Sequence, residues 1–383
     1  MKEYQILYHK LRRSLFSAVF LTFLCTNTNI SYSQLDDDAN FDYFAQNITK
    51  PNPAFADSVK QSATDSMQSA TKENIEDSKY FSFDEFMYAD THLYTLTGDL
   101  PLKKTEIRPL EFGLFVGTYA TFMVAQHILQ METIWKEQTN FKIMEDGPYA
   151  LYADKAGHFF GVYLTSYAMR EGFLISGLSY EAATIWGLVG GLSYSTYVEI
   201  LDGFGKGWGF CPSDFYMDVA GGAFFLGQHY FPFLQNFTPK FSYVPPRWHN
   251  ERDRVPSEMF IDNYSAHTLW LSVNVHNLLP ESLKDYWIDG IDLAFGYAAR
   301  HLADTINSSY RPGPDDVVVD GYFGSPRYII ALDYNLVKLL PEGGKFWNWM
   351  RQTLNFFKFP SPAVEFSKSK TRFYLLYPFQ ISF

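Results

Sequence analysis

Two pairs of polar residues, each four apart, carry the side chains best suited to chemistry: Asp154 and His158 in "DKAGHFF", and Asp214 and Asp218 in "SDFYMD". On a helix, positions i and i+4 share a face, so each pair can present two ionisable groups to one spot. Glu199 closes another apolar run, and Asp202 follows three residues later. Carboxylates and imidazole bind divalent ions, orient water and exchange protons with leaving groups. Asp154, His158, Glu199, Asp214 and Asp218 therefore read as the cluster of a lipid-active hydrolase or transferase. In it His158 would shuttle a proton, and the carboxylates would orient a cation or water near a lipid phosphate. The sequence names neither a metal nor a cofactor. Two other readings fit the same residues. In one, Asp154 and Asp214 cap helices, His158 donates to a backbone carbonyl, and Glu199 and Asp202 face water. In the other, the acids line a passage for protons or small solutes. Cys211 has no neighbouring histidine and no second metal-spaced cysteine, which argues against a thiol nucleophile.

These residues fall in or beside the last three of four apolar segments of helical length, residues 111–131, 154–173, 179–200 and 213–234. Each approaches the roughly twenty residues that cross a bilayer, although their charges weaken that assignment. Glycines four apart recur at Gly113 and Gly117, Gly157 and Gly161, and Gly187 and Gly191, a spacing that lets backbones approach closely. Between the last two segments, "EILDGFGKGWGFCPSD" reads as an ordered turn with Trp208 and Phe210 as an aromatic plug. Ser213 or Asp214 is placed to cap the next helix. Further on, the hydrophobic period shifts to two in "HTLWLSVNVH", "IDLAFGYAAR", "RYIIALDYNL" and "TRFYLLYPFQISF". The expected fold is α+β: a compact hydrophobic bundle of about four helices followed by a strand-rich C-terminal region. Four or five strands are too few for a complete transmembrane barrel, although the alternation of Tyr377, Phe379, Ile381 and Phe383 resembles a barrel strand.

The chain as a whole is acidic, with a formal charge of -11, and has no compact Lys/Arg block, which excludes a general nucleic-acid binder. Its 19% aromatic content suits surfaces with one dry and one wet side. Lys10, Arg12 and Arg13 precede an apolar run and then polar residues, the order of a secretory signal with cleavage near Gln34; a retained anchor is the alternative. Cys25 lies inside that leader after Leu24, a poor context for lipidation, and Cys211 would then be the only cysteine. The expected organisation is a signal peptide (1–34), a polar N-terminal arm (35–100), a helical membrane-associated domain (101–240) and a strand-rich domain (241–383).

"DKAGHFFGVYLTSYAM" and "YSTYVEILDGFGKGWGFCPSDFYMDVAGGAFFLGQ" resemble the DUF2279 family of predicted envelope proteins, best represented in Bacteroidota. The resemblance spans about residues 105 to 235 and continues in "LNFFKFPSPAVEF". It implies export without implying an activity. A fainter resemblance to VanZ-like membrane proteins maps onto Asp154, Lys155, His158, Glu199, Asp214, Asp218 and Gly221, with Asp218 where that pattern has Asn. Neither likeness carries an assigned catalytic residue. The leading expectation is an envelope scaffold or accessory subunit of an outer-membrane protein assembly without chemistry of its own. Its partners would be membrane lipids and other envelope proteins, such as an outer-membrane barrel. The outer membrane is preferred over the inner; the lipid-active enzyme is the alternative.

Overall fold

A computed structural model describes residues 79–246, 263–304 and 309–379. The expected signal peptide, most of the polar arm, and Ile381 and Phe383 lie outside the described residues. All four anticipated helices form: α1 (Pro109–Glu132), α2 (Ala153–Ile175), α3 (Tyr180–Asp202) and α4 (Pro212–Tyr230). Their starts follow local chemistry. Ser179 accepts from the Ala182 amide to cap α3, and prolines open α1 and α4, where the missing N–H costs nothing.

The glycine pattern takes effect where α2 meets its neighbours. A Cβ on Gly191 would stand 2.6 Å from Ser166 Oγ, and one on Gly187 would stand 2.7 Å from the Ser166 carbonyl oxygen. On α4, a Cβ at Gly221 would fall 2.1 Å from the Phe159 carbonyl oxygen. Only glycine permits these approaches, so α3 and α4 lie tight against α2. Gly113 on α1 has nothing within 4 Å, so the first glycine pair does not serve the close packing that its spacing suggests. Helix α1 is tethered near its ends, where Phe115 packs edge-on to Phe173 and His127 Nδ1 bonds Tyr197 Oη at 2.5 Å. Its Leu110, Leu114 and Ile128 are exposed. Among the described residues, α1 is the helix long and apolar enough to cross a membrane.

Among the described residues, seven strands form one antiparallel sheet: β1 (Phe237–Tyr243), β2 (His267–Val273), β3 (Ile291–Asp304), β4 (Val317–Val319), β5 (Tyr322–Tyr334), β6 (Ser361–Phe366) and β7 (Thr371–Tyr377). The hydrogen-bonded order is β1-β2-β3-β5-β6-β7, and β4 pairs with β5. One face packs Trp270, Ala294, Ala298, Ile329, Ala331 and Tyr377 together with buried ion pairs such as Lys240–Asp333 at 2.6 Å. On the other face, Phe241 and Leu269 meet Phe160, Tyr163 and Tyr167 of α2 together with Phe225 and Phe356. Each such side chain contributes about 1.5–3 kcal/mol by leaving water. Farther along the sheet, Phe295, Tyr328, Ile330, Phe366, Phe373 and Leu375 are exposed. A short helix α5 (Lys345–Thr353) leads into β6, and its Arg351 donates to the carbonyls of Val337 and Leu340.

Candidate active site

The entrance to α2 is set by an uncommon backbone. Ala150, Leu151 and Tyr152 all have positive φ, at 50°, 52° and 66°. Left-handed conformations cost non-glycine residues roughly 1–2 kcal/mol each, so tertiary contacts must hold this turn. Ala150, Leu151 and Ala153 are buried with Ala299, and Tyr297 Oη donates to the Leu151 carbonyl. Tyr149 packs edge-on against Trp208, Tyr264 and Tyr322. The turn delivers Asp154 and Lys155 into the first turn of α2 with their side chains buried.

Each packed helix supplies a pair of groups four residues apart. Helix α2 gives Asp154 and His158, α3 gives Ser195 and Glu199, and α4 gives Asp214 and Asp218. His158 is the hub. Its Nδ1 donates to Asp218 Oδ1 at 3.0 Å, and Asp218 Oδ2 accepts from Ser195 Oγ at 2.5 Å. Its Nε2 faces three carboxylate oxygens at nearly equal range: Asp154 Oδ1 at 3.7 Å, and Glu199 Oε1 and Asp214 Oδ1 at 3.8 Å. Lys155 Nζ lies behind them, 2.5 Å from Asp146 Oδ1, 2.6 Å from Asp214 Oδ1 and 2.8 Å from Asp154 Oδ2. Tyr264 donates to Asp154, and the Cys211 amide donates to Glu199 Oε2 at 3.2 Å.

Five sequence-predicted residues, Asp154, His158, Glu199, Asp214 and Asp218, thus converge. Asp202 does not join them: its Oδ1 accepts from Trp135 Nε1 at 2.6 Å. The capping expectations fail. Tyr152 and Cys211 occupy the N-cap positions of α2 and α4, and neither Asp154 nor Asp214 caps. Ser213 instead hydrogen-bonds Glu145, and Glu199 is buried rather than facing water. Asp146, Ser195 and Tyr264 were missed by sequence reasoning. The i,i+4 spacing from Ser195 to Glu199 was a usable signal for the second; Tyr264 arrives from a distant connection with no local mark.

Burial sets the electrostatics. It pushes the carboxyl of Glu199 up to about 8 and that of Asp214 up to about 7, with neighbouring acids adding to both. Burial also disfavours a charged His158, but the Asp218 hydrogen bond and the charges of Asp154 and Asp214 prevail and lift it to about 10. The Cys211 thiol rises to about 11, chiefly through burial. Five carboxylates, counting Asp146, face two cations, Lys155 and His158. The group lines a cavity of about 540 Å³ whose other walls include Phe160, Val162, Leu164, Val198, Phe241 and Leu269 together with Gln130, Thr165 and His267.

Residues 143–227 match DUF2279, a family described as predicted periplasmic lipoprotein. The matched segment contains all five converging residues and ends before the sheet. It supports an envelope protein; Cys25 lies outside the described residues. No curated protein and no solved structure matches the chain.

Proposed function

We propose that this envelope protein is a hydrolase or transferase acting on the polar head of an envelope lipid. One observation carries the reading: His158 and four carboxylates from three helices converge in the wall of a cavity whose exposed lining is otherwise largely apolar. Apolar walls fit an acyl or isoprenoid chain, while the polar cluster orients a head group and water. Helix caps would have satisfied these acids one by one at separate helix ends. Gathering them on one imidazole has no such local explanation.

The test is turnover by the full chain, extracted from envelopes in mild detergent and mixed with micelles of phosphatidic acid and phosphatidylethanolamine. Lipid products are separated by chromatography, and released phosphate is assayed. Head-group cleavage is expected, falling at least 100-fold in Asp214→Asn with an unchanged circular dichroism spectrum. No cleavage by the wild-type chain, or equal cleavage by the folded variant, would remove the basis of this reading.

A second reading is an accessory subunit at the outer membrane. It is favoured by the exposed Tyr328, Ile330, Phe366, Phe373 and Leu375, which give one part of the sheet an apolar outward surface. Cross-linking in intact envelopes checks it: recovery of a stable protein neighbour supports a subunit role, and recovery of monomer alone counts against it.

A further inference from the structure

The anionic surplus around His158 is the wrong environment for a phosphate head unless a cation accompanies it. Two side chains point to where that cation sits. Glu199 is 3% exposed, yet its Oε1 makes no hydrogen bond and aims at His158 Nε2 across 3.8 Å. His158 Nε2 likewise makes no hydrogen bond, while Nδ1 is fixed by Asp218. A divalent ion bonded at about 2.0–2.2 Å to a nitrogen and an oxygen separates those atoms by roughly 3.4 Å in tetrahedral geometry. The Nε2 distances to Asp154, Asp214 and Glu199 exceed that by a few tenths of an ångström. Asp154, His158 and Asp214 also bring one ligand atom each within 4.8 Å of one another.

We propose that Asp154 Oδ1, His158 Nε2 and Asp214 Oδ1 hold a divalent transition-metal ion, with Glu199 facing its open coordination position. The inference rests on the lipid-hydrolase reading of the same cavity for its use, but not for its geometry. Asp218 is a positioning residue. A carboxylate on the far ring nitrogen fixes the tautomer and raises the basicity of the ligating one, and Ser195 fixes that carboxylate in turn. Lys155 and Tyr264 contact the ligating oxygens themselves, Asp214 Oδ1 at 2.6 Å and Asp154 Oδ1; each oxygen keeps a second lone pair for the ion, and the two contacts hold the carboxylates in place. Three protein ligands and one open position are the arrangement of catalytic rather than structural sites. For a phosphoester, water on the ion gives a proton to Glu199 while its oxygen bonds to phosphorus. The bond from phosphorus to the leaving oxygen breaks, and that oxygen takes the proton back from Glu199. Ester and water become phosphate and alcohol.

The detergent-extracted full chain is stripped with EDTA and titrated with Zn²⁺ or Mn²⁺ by equilibrium dialysis. One ion per chain is expected. His158→Ala and Asp214→Asn should weaken it at least 100-fold, and Asp218→Asn should weaken it about 10- to 100-fold, as loss of an orienting carboxylate does. X-ray absorption of the wild-type Zn²⁺ form should show nitrogen and oxygen neighbours without sulfur, a readout that holds even where a variant fails to fold. The proposal is overturned by the absence of a stoichiometric ion, by unchanged affinity in a folded His158→Ala, or by a sulfur neighbour, which would place the ion at Glu145, Asp146 and Cys211. Ion binding without lipid cleavage upholds the centre and sinks the hydrolase reading; lipid cleavage by a chain that binds no ion upholds that reading and overturns the centre.

Discussion

The sheet and the helical cluster both bury charge, and they settle it differently. Inside the sheet, Lys240 bonds Asp333 at 2.6 Å with Lys358 3.7 Å from the same carboxylate, and Arg327 and Arg372 share Glu365. Arg300 spends its donors on the carbonyls of Ser265 and His267 and on Thr268 Oγ1. Among the helices, acids outnumber bases and a cavity opens beside them. Buried charge that is matched side chain by side chain fixes a fold, whereas buried charge of one dominant sign needs an outside partner. The difference separates a structural ion-pair network from a site, although both contain the same residue types.

The comparison breaks most easily at Asp333. Asp333→Ala leaves Lys240 and Lys358 facing each other without their shared anion, and the expected loss is about 3–5 kcal/mol by urea denaturation. An unchanged midpoint would mean that the sheet charges are as loosely matched as those around His158. Asp292 gives a smaller effect that depends on pH. Burial pushes its carboxyl up to about 7, with Lys240 and Lys338 only partly offsetting it. The unfolded chain ionises Asp292 near 3.8 and the folded chain near 7, so its contribution to stability is lost as pH rises across that interval. Asp292→Asn should be near neutral at pH 4 and stabilising by about 1–3 kcal/mol at pH 8, read from melting temperatures at the two values. Smallest is Glu199→Gln in metal-free protein. At pH 5 the folded chain holds Glu199 protonated, since burial lifts it to about 8, while the unfolded chain ionises it near 4.5, so the amide should leave stability unchanged or raise it by up to about 1 kcal/mol, the opposite sign to Asp333→Ala. A loss of several kcal/mol there would make the helical cluster a matched network after all.

Much of this was legible in the sequence, for identifiable reasons. Helices α1 to α4 showed as long apolar runs, and β2, β3, β5 and β7 as period-two alternation. Strands β1 and β6 were hidden by Pro239 and Pro362, which break the usual strand signature; Pro362 sits at the register shift between Ser361 and Ala363. Alternation also does not say which face is covered. Leu269 packs on α2 while Leu271, two residues on, is 40% exposed. The spacing of Asp154 with His158 and of Asp214 with Asp218 predicted shared faces, but the meeting of those faces depended on Gly191 and Gly221, whose role appears only once the helices are docked. Tyr264 and Asp146 reach the site from connections, where no period exists to announce them.

Cys211 has a consequence of its own. Its sulfur is buried between Asp146 and Ser213 while its amide holds Glu199, so no reagent reaches the thiol without disturbing the pocket wall. The rate at which a disulfide reagent labels it is therefore a clock on how often this end of the molecule breathes open. Whatever occupies the cavity should slow that clock, which lets ligands be ranked by time alone before any reaction has been found.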